Sequence, residues 1–325
     1  MTSASSPGKL ILCGEHAVVY GQPAIALPLP DIRATALVED APSGSGITIV
    51  TPDIGEEWTI GADGPEPHTH PLATLVRLTL AQIGARAPDA RITLRSAIPI
   101  ASGMGSGAAL GAALVKALAA HLGAALGPDV VARLVYESER FYHGTPSGID
   151  NTVVSYEQAI WFVRSAAGAD PPAPQITPIT IGRPFTLVVG DTGVRAPTHV
   201  TVGGVRERWR RDPERYQTLF KTIGQLARRV RSELAEGDLS AVGQALNENQ
   251  AALAEIGVSS PELERLIDAA RRAGALGAKL SGGGGGGIMV ALTDQAQQAA
   301  VAQALLEAGA HQVMQTAVTG TAWLS

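Results

Sequence analysis

The sequence predicts a two-domain α+β protein. Three observations carry that expectation. The chain has 325 residues, which is long for a single hydrophobic core. Residues 91–98 (RITLRSAI) alternate like a strand and lead through a glycine loop, Ser102 to Gly107, into an alanine-rich helical stretch. A second apolar strand, Phe185 to Gly190, opens a helix-rich region that ends in six consecutive glycines running into another apolar strand, Gly277 to Leu292.

Composition narrows the class. Apolar residues make up 45% of the chain and aromatics only 4%, so the cores are expected to be aliphatic, with close backbone contacts at Gly and Ala. The single cysteine, Cys13, rules out an internal disulfide and fits a reducing compartment. No apolar run approaches the ~20 residues that span a bilayer. The start, MTSASSPGK, lacks a signal-peptide pattern, so a cytoplasmic protein without a membrane partner is expected. A net charge of −5 argues against general nucleic-acid binding.

The glycine loop is the first chemical signal. Free N–H groups and the positive end of the helix dipole meet at a helix N-terminus, and glycines let the backbone curl around an anion there. A turn that merely caps the helix is the competing reading. No Lys follows Gly105 or Gly107, so the Walker pattern of P-loop ATPases is absent. Leu110, Leu114, Leu118 and Leu122 recur every four residues and predict a leucine ridge along the helix.

In chain order, Leu10–Cys13 and Ala17–Tyr20 read as two short strands joined by the polar turn Gly14-Glu15-His16. Lys9, Glu15 and His16 are packed among apolar residues and glycines, like the wall of a site. Strands are expected at 34–38, 47–50 and 58–60, then a loop at 61–71 and a helix at 72–83. His68 and His70 lack a third ligand nearby, so a surface loop is preferred there to a metal site. Pro128 and Asp129 start another helix, whose apolar stripe Val131, Leu134, Val135 continues into Ser138 and Glu139. Glu139 is therefore expected to point inward, where a carboxylate needs a partner or a metal. The stretch HGTPSGIDN, 143–151, reads as a tight loop presenting Asp150 ahead of a strand-like Thr152-Val153-Val154. Residues 165–178 read as a surface loop near a domain border. Residues 205–236 read as a helical stretch with a solvated, arginine-rich face, followed by helices near 238–256 and 260–273. The glycine run Gly282–Gly287 reads as a second close-approach backbone loop, and a helix at 295–308 and a strand at 312–324 close the chain.

Three stretches together resemble the GHMP kinase superfamily: Pro7-Gly8-Lys9 through Ala26, Pro99 to Ala109, and Lys279 to Ile288. Within it, GEHAVVYGQPAIA, ERFYHGTPSGIDN with its eleven-residue step from Glu139 to Asp150, and the segment from Asn249-Gln250 to Pro261 are similar to the mevalonate kinase branch. The phosphate loop departs from the family pattern. Gly107 stands where a second serine is usual, and Met104 where a leucine is usual; Gly283 replaces an alanine of the third motif.

The resemblance implies a fold and an activity. The fold is an ATP-binding N-terminal domain, 1–183, like domain 2 of ribosomal protein S5, and a ferredoxin-like C-terminal domain, 184–325, with the active site in the cleft between them. The activity is ATP-dependent phosphorylation of (R)-mevalonate at the C5 hydroxyl, in isoprenoid biosynthesis. Another GHMP kinase, acting on phosphomevalonate or at the 3-hydroxyl of mevalonate, is the alternative. A phosphorylated acceptor would call for additional Lys or Arg, whereas Glu15-His16 beside Lys9 suits an unphosphorylated acid. A ligand-sensing relative without activity would be expected to lose the base or the metal ligands, and these are present. The implied partners are small molecules, mevalonate and ATP, and the resemblance admits a homodimer.

The resemblance also implies roles. Pro99, Ser102, Gly103, Met104, Gly105, Ser106, Gly107 and Ala108 would cradle the phosphates. Ser106 and Glu139 would hold Mg²⁺. Asp150 would be the base, and Lys9 would pair with it and stabilise the transferring phosphoryl group. Glu15 and His16 would line the acceptor pocket, His16 with the more direct hydrogen bond, and Ser281 and Gly282 would close it.

Overall fold

A computed structural model describes residues 1–60, 70–100, 102–143, 147–164 and 174–319. His68, Ala101, Gly144, Pro146, most of the 165–178 segment and residues 320–325 lie outside the described residues. Two compact units emerge. The first comprises 1–8, 32–99 and 105–157; the second comprises 9–31, 100–104 and 158–325.

Two long strands contribute to both units: β1 (Thr2–Cys13) and β2 (Pro23–Asp40). In the first unit the sheet is completed by β3 (Ile47–Thr51), β4 (Glu56–Ile60) and β5 (Ala90–Ser96), in the order β4-β3-β5-β2. The pairing of β2 with β5 is antiparallel, from Ala34 opposite Ser96 to Asp40 opposite Ala90. Alternation sets the faces: Ala34, Ala36, Val38, Ile47, Ile49, Ile92 and Leu94 are all buried. Among the described residues this unit has the helices α1 (Pro71–Ile83), α2 (Ser106–His121), α3 (Pro128–His143) and α4 (Ile149–Tyr156).

Helix α2 is the packing element that follows the glycine loop. It is buried on nearly all sides, by Ala108, Ala109, Ala112, Ala113, Leu114, Val115 and Ala117 to Ala119. The leucine ridge is correspondingly incomplete. Leu114 and Leu118 are fully buried, but Leu110 and Leu122 are half-exposed, because a four-residue step overshoots the 3.6-residue turn and the row winds around the helix. Gly111 permits the close crossing of α1, since a Cβ there would lie 2.8 Å from Leu75 Cδ1.

Two expected strands are not strands. Ala17–Tyr20 forms a 3-10 turn, closed by Val18 N–H to Gly14 O (3.1 Å) and Val19 N–H to His16 O (3.0 Å). Gly14 at φ 106° and Gly21 at φ 78° turn the chain at both ends, leaving no room for an extended segment. Thr152-Val153-Val154 lies within α4. Its β-branched residues are buried, and tertiary packing overrides their strand preference; Thr152 Oγ1 donates back to Gly148 O at 2.7 Å.

The second unit carries a four-stranded antiparallel sheet, β11-β8-β10-β9, made of β8 (Phe185–Asp191), β9 (Gly277–Ser281), β10 (Ile288–Thr293) and β11 (Gln312–Val318). This is the sheet expected of a ferredoxin-like domain. β6 (Ile160–Val163) pairs with Pro23–Ala26 of β2, and β7 (Gln175–Pro178) pairs with β6, so the end of the expected 165–178 loop is an edge strand. Helices α5 (Thr198–Arg211), α6 (Pro213–Glu236), α7 (Leu239–Glu255), α8 (Pro261–Arg272) and α9 (Gln298–Glu307) complete the unit. The 205–236 stretch is two helices rather than one. Pro213 cannot donate to the preceding turn, and the Asp212 side chain caps the new helix by accepting from Arg215 N–H. The core of this unit includes Val188, Val205, Phe220, Ile223, Leu253, Leu266, Leu280 and Met289.

Candidate active site

In the first unit, the start of α2 brings free backbone N–H groups and a hydroxyl in front of a carboxylate on α3. Gly105 sits in the left-handed region (φ 71°) as the N-cap, so the N–H groups of the first turn, Ser106, Gly107 and Ala108, have no helical acceptor of their own. Ser106 is half-buried, and its Oγ lies 3.4 Å from Ser96 Oγ. Glu139 on α3 is 6% exposed, as its place on the apolar stripe predicted. Its Oε1 faces the first turn of α2: a Cβ on Gly107 would meet only that oxygen, at 3.6 Å. One hydroxyl and one carboxylate, both oxygen donors beside an anion-binding turn, fit Mg²⁺, whose remaining ligands are usually water and nucleotide phosphate. Asp150 stands in the first turn of α4, behind Gly148 at φ 89°. Asn151 beside it is buried and donates to Ala132 O at 3.0 Å, fixing α4 against α3.

In the second unit, two glycine-bearing loops and the Gly14–His16 turn come together. Lys9, 6% exposed, donates from Nζ to Gly103 O (2.8 Å) and from its backbone N–H to Met104 O (2.9 Å). Met104 is fully buried, so it fills the place of the usual leucine as a packing residue, while Gly103 is exposed and Ser102 buried. A Cβ on Gly287 would touch Ser102 O at 3.4 Å. In the glycine run, Gly282 and Gly284 to Gly287 all have positive φ. A Cβ on Gly284 would fall 2.1 Å from Val258 O, and one on Gly286 2.8 Å from Val194 O. Gly285 and Gly287 spend their N–H groups on those same two carbonyls, at 2.7 and 2.8 Å. The run is thus a close-approach loop, and part of what it approaches is the unit's own backbone. Gly282 differs, with open space where its Cβ would be. Ser281 is 4% exposed and staples β1 to β9: its hydroxyl donates to Ile11 O (2.8 Å) and accepts from Ile11 N–H (3.1 Å).

Glu15 and His16 play different parts. Glu15 is 1% exposed; Oε1 pairs with Lys279 Nζ, and Oε2 accepts from Asn249 Nδ2 at 3.4 Å. His16 has φ 58° and ψ −49°, outside the regions an L-residue ordinarily occupies, at a cost of about 1–3 kcal/mol. Its Nε2 lies 3.0 Å from Gly283 O. Burial lowers the His16 pKa to about 4; the bond to Gly283 opposes the shift, and the nearby Arg208 and Lys279 charges add to it. The ring is therefore neutral near pH 7. Cys13 beside this turn is fully buried, and desolvation, with the Glu15 charge, pushes its thiol far up.

Lys279 and Asn249 are the functional-site neighbours that residue-by-residue reading missed as actors. The signal was present: a lysine inside the otherwise apolar strand GAKLS and an asparagine on a buried helix face, both with no exposed surface. The arginine-rich face is largely exposed, as expected, with Arg206, Arg210, Arg211, Arg215, Arg228 and Arg231 all exposed, and two of its arginines also make specific contacts. Arg208 donates to Ile256 O and Gly257 O at the end of α7, both at 3.2 Å, and Arg231 stacks 4.8 Å from the Trp161 ring. His70 serves as the N-cap of α1, its Nδ1 accepting from Leu72 N–H at 3.2 Å. Among the described residues no helix is long and apolar enough to cross a membrane.

A helix start with free N–H groups facing a carboxylate, and a second unit with a ferredoxin-like sheet and a glycine-rich loop between β9 and β10, are the features that the resemblance to GHMP small-molecule kinases predicts. Residues 72–158 match the model of the GHMP kinases N-terminal domain and residues 230–311 that of the GHMP kinases C-terminal domain; the chain belongs to the GHMP kinase family, whose members are ATP-dependent. Within that family it falls among the mevalonate kinases. The mevalonate kinase of Thermococcus sibiricus is 32% identical over 322 residues, 94% of this chain and 93% of that protein. That of Pyrococcus horikoshii is 33% identical, over 94% of this chain and 92% of its own. Among solved structures, L. major mevalonate kinase in complex with R-mevalonate superposes with a TM-score of 0.83 at 28% identity, covering 99% of this chain and 97% of that one.

Proposed function

We propose that this chain transfers the γ-phosphoryl group of ATP to the C5 hydroxyl of (R)-mevalonate, giving ADP and 5-phosphomevalonate for isoprenoid biosynthesis. The observation that carries the reading is the whole-chain similarity to mevalonate kinases, with Lys9, Ser106, Glu139 and Asp150 present at the motif positions. In the step, the C5 oxygen forms a bond to the γ-phosphorus, the bond to the β,γ-bridging oxygen breaks, and the hydroxyl proton passes to Asp150.

Each residue has a role in that scheme. The first-turn N–H groups of α2, with Ser102 to Ala108 and Pro99 around them, bind the phosphates. Ser106 Oγ and the Glu139 carboxylate would hold Mg²⁺, which would supply neutralisation of phosphate charge. Lys9 stabilises charge developing on the transferring group. His16 contacts the acceptor, Glu15 supports it from beneath, and Ser281 with Gly282 forms the neighbouring wall. We propose a cytoplasmic location and a sequence boundary between domains after residue 183, and the family resemblance admits a homodimer. Light scattering tests the dimer and limited proteolysis the boundary.

The deciding experiment measures ADP release against mevalonate, phosphomevalonate, galactose and homoserine. Turnover on mevalonate alone is expected, with phosphate on the C5 oxygen by NMR. Preference for phosphomevalonate, or phosphate on the C3 oxygen, would overturn the assignment.

A further inference from the structure

The Glu15 network carries information that the proposed roles do not use. Lys279 has no exposed surface, Glu15 is 1% exposed and Asn249 has none. Lys279 Nζ donates to Glu15 Oε1 and also to Leu280 O of its own strand. Asn249 donates to the other Glu15 oxygen, while its own Oδ1 is buried without a hydrogen bond. Such a network is a poor way to gain stability. A buried ion pair barely outweighs its desolvation, and well-packed apolar residues commonly do as well or better. An orphaned amide oxygen adds a further penalty. What the network does is fix position. It ties the residue before His16 to β9 and α7 at one point, while His16 itself is held in a strained backbone conformation.

The His16 ring is then defined down to its proton. A carbonyl oxygen can only accept, so the 3.0 Å contact with Gly283 O requires Nε2 to carry the hydrogen. In a neutral imidazole the other nitrogen, Nδ1, is then a bare acceptor. Such a group welcomes a hydroxyl and offers nothing to a carboxylate or phosphate oxygen. We infer that the buried Lys279–Glu15–Asn249 network is a positioning device that locks the His16 turn, so that Nδ1 is presented as a hydrogen-bond acceptor to a hydroxyl of the substrate alcohol. This rests on the reading of the chain as a kinase of an unphosphorylated hydroxy acid. Lys279, Glu15 and Asn249 act through His16 and are positioning residues.

Two measurements test it. The first needs no substrate and no turnover. Nitrogen NMR of ¹⁵N-histidine-labelled protein, with His16 assigned by comparison with His16→Gln, reads the tautomer. The Nε2–H form is expected, and an Nδ1–H form or a charged ring at pH 7 overturns the inference. Because it involves no substrate, this result stands apart from success or failure of the mevalonate assay. The second uses the neutral pair Glu15→Gln/Lys279→Met, which keeps side-chain length and leaves no unpaired charge, alongside Lys279→Met alone. In the double variant, KM for mevalonate is expected to rise about tenfold, the worth of one ordinary hydrogen bond, with KM for ATP unchanged and the His16 signals averaging between tautomers. Unchanged mevalonate KM with a fixed tautomer, or equal loss toward both substrates, would reduce the network to scaffolding and refute the proposal.

Discussion

Replacing Asp150 with Asn separates chemistry from structure more cleanly than any other change in this chain. The substitution keeps the size of the side chain in the first turn of α4, behind Gly148, and removes its charge. The helix-dipole part of the structural cost is about 0.3–1 kcal/mol. For a domain of this size that is a melting shift of at most about 4 °C. Loss of a general base costs about a hundred- to ten-thousandfold in rate. In barrier terms that is about 2.7–5.5 kcal/mol, well above the stability change. The assay is coupled ADP release at saturating ATP and mevalonate, with ATP affinity measured separately by calorimetry and folding by thermal melt. The expected result is a kcat lower by at least two orders of magnitude, with nucleotide binding and melting nearly preserved. A variant that turns over within a few-fold of wild type would refute the role of Asp150 as base. A fall in kcat matched by loss of ATP affinity would refute the separation.

Ser106→Ala and Glu139→Gln should each raise the Mg²⁺ concentration needed for half-maximal activity, and an unchanged Mg²⁺ titration would remove them from the ion site. Gly107→Ser should be accepted: its Cβ would make only an ordinary 3.6 Å contact with Glu139 Oε1, and serine gains about 0.5 kcal/mol or less of helix propensity over glycine. A lowered melting temperature would show that the turn depends on the missing side chain. His16, with its pKa lowered from 6.5 to about 4, makes stability depend on pH. The unfolded state binds the proton more readily, so this contribution is fully present above pH 6.5 and is lost as pH falls toward about 4, by about 3 kcal/mol at most. Urea unfolding of wild type and His16→Gln across that range should diverge below neutrality, and parallel curves would contradict the burial of a neutral ring.

Patterns that depend on neighbours in sequence were legible. The strand–glycine loop–helix order around Gly105, and the inward direction of Glu139, follow from spacing along one helix face, and both are seen. What spacing could not give was the partner of a buried charge. Glu15 read as part of the wall of a site, but its partners could not be read, because they lie 234 and 264 residues away, at Asn249 and Lys279. Ala17–Tyr20 and Thr152–Val154 misled in a related way. Their β-branched and aromatic residues favour extension locally, but Gly14 and Gly21 in one case, and burial of α4 on nearly all sides in the other, decide the backbone. The glycine run was recognised as a close-approach loop from its flanking strand. That it folds back on Val258 and Val194 required the tertiary structure.

The environment of Cys13 gives the second unit its own built-in clock. The chain has one thiol, fully buried, with its ionisation strongly suppressed by desolvation and by the Glu15 charge. While β1 and the Gly14–His16 turn stay packed, an alkylating reagent meets neither an accessible sulfur nor a thiolate. Each opening that admits the reagent also restores the ordinary acidity of the group, so labelling reports the opening event twice over, through access and through reactivity. Timed alkylation followed by mass measurement therefore follows local unfolding around the Glu15–Lys279 pair without any engineered probe, and the protection added by a bound ligand is read on the same cysteine.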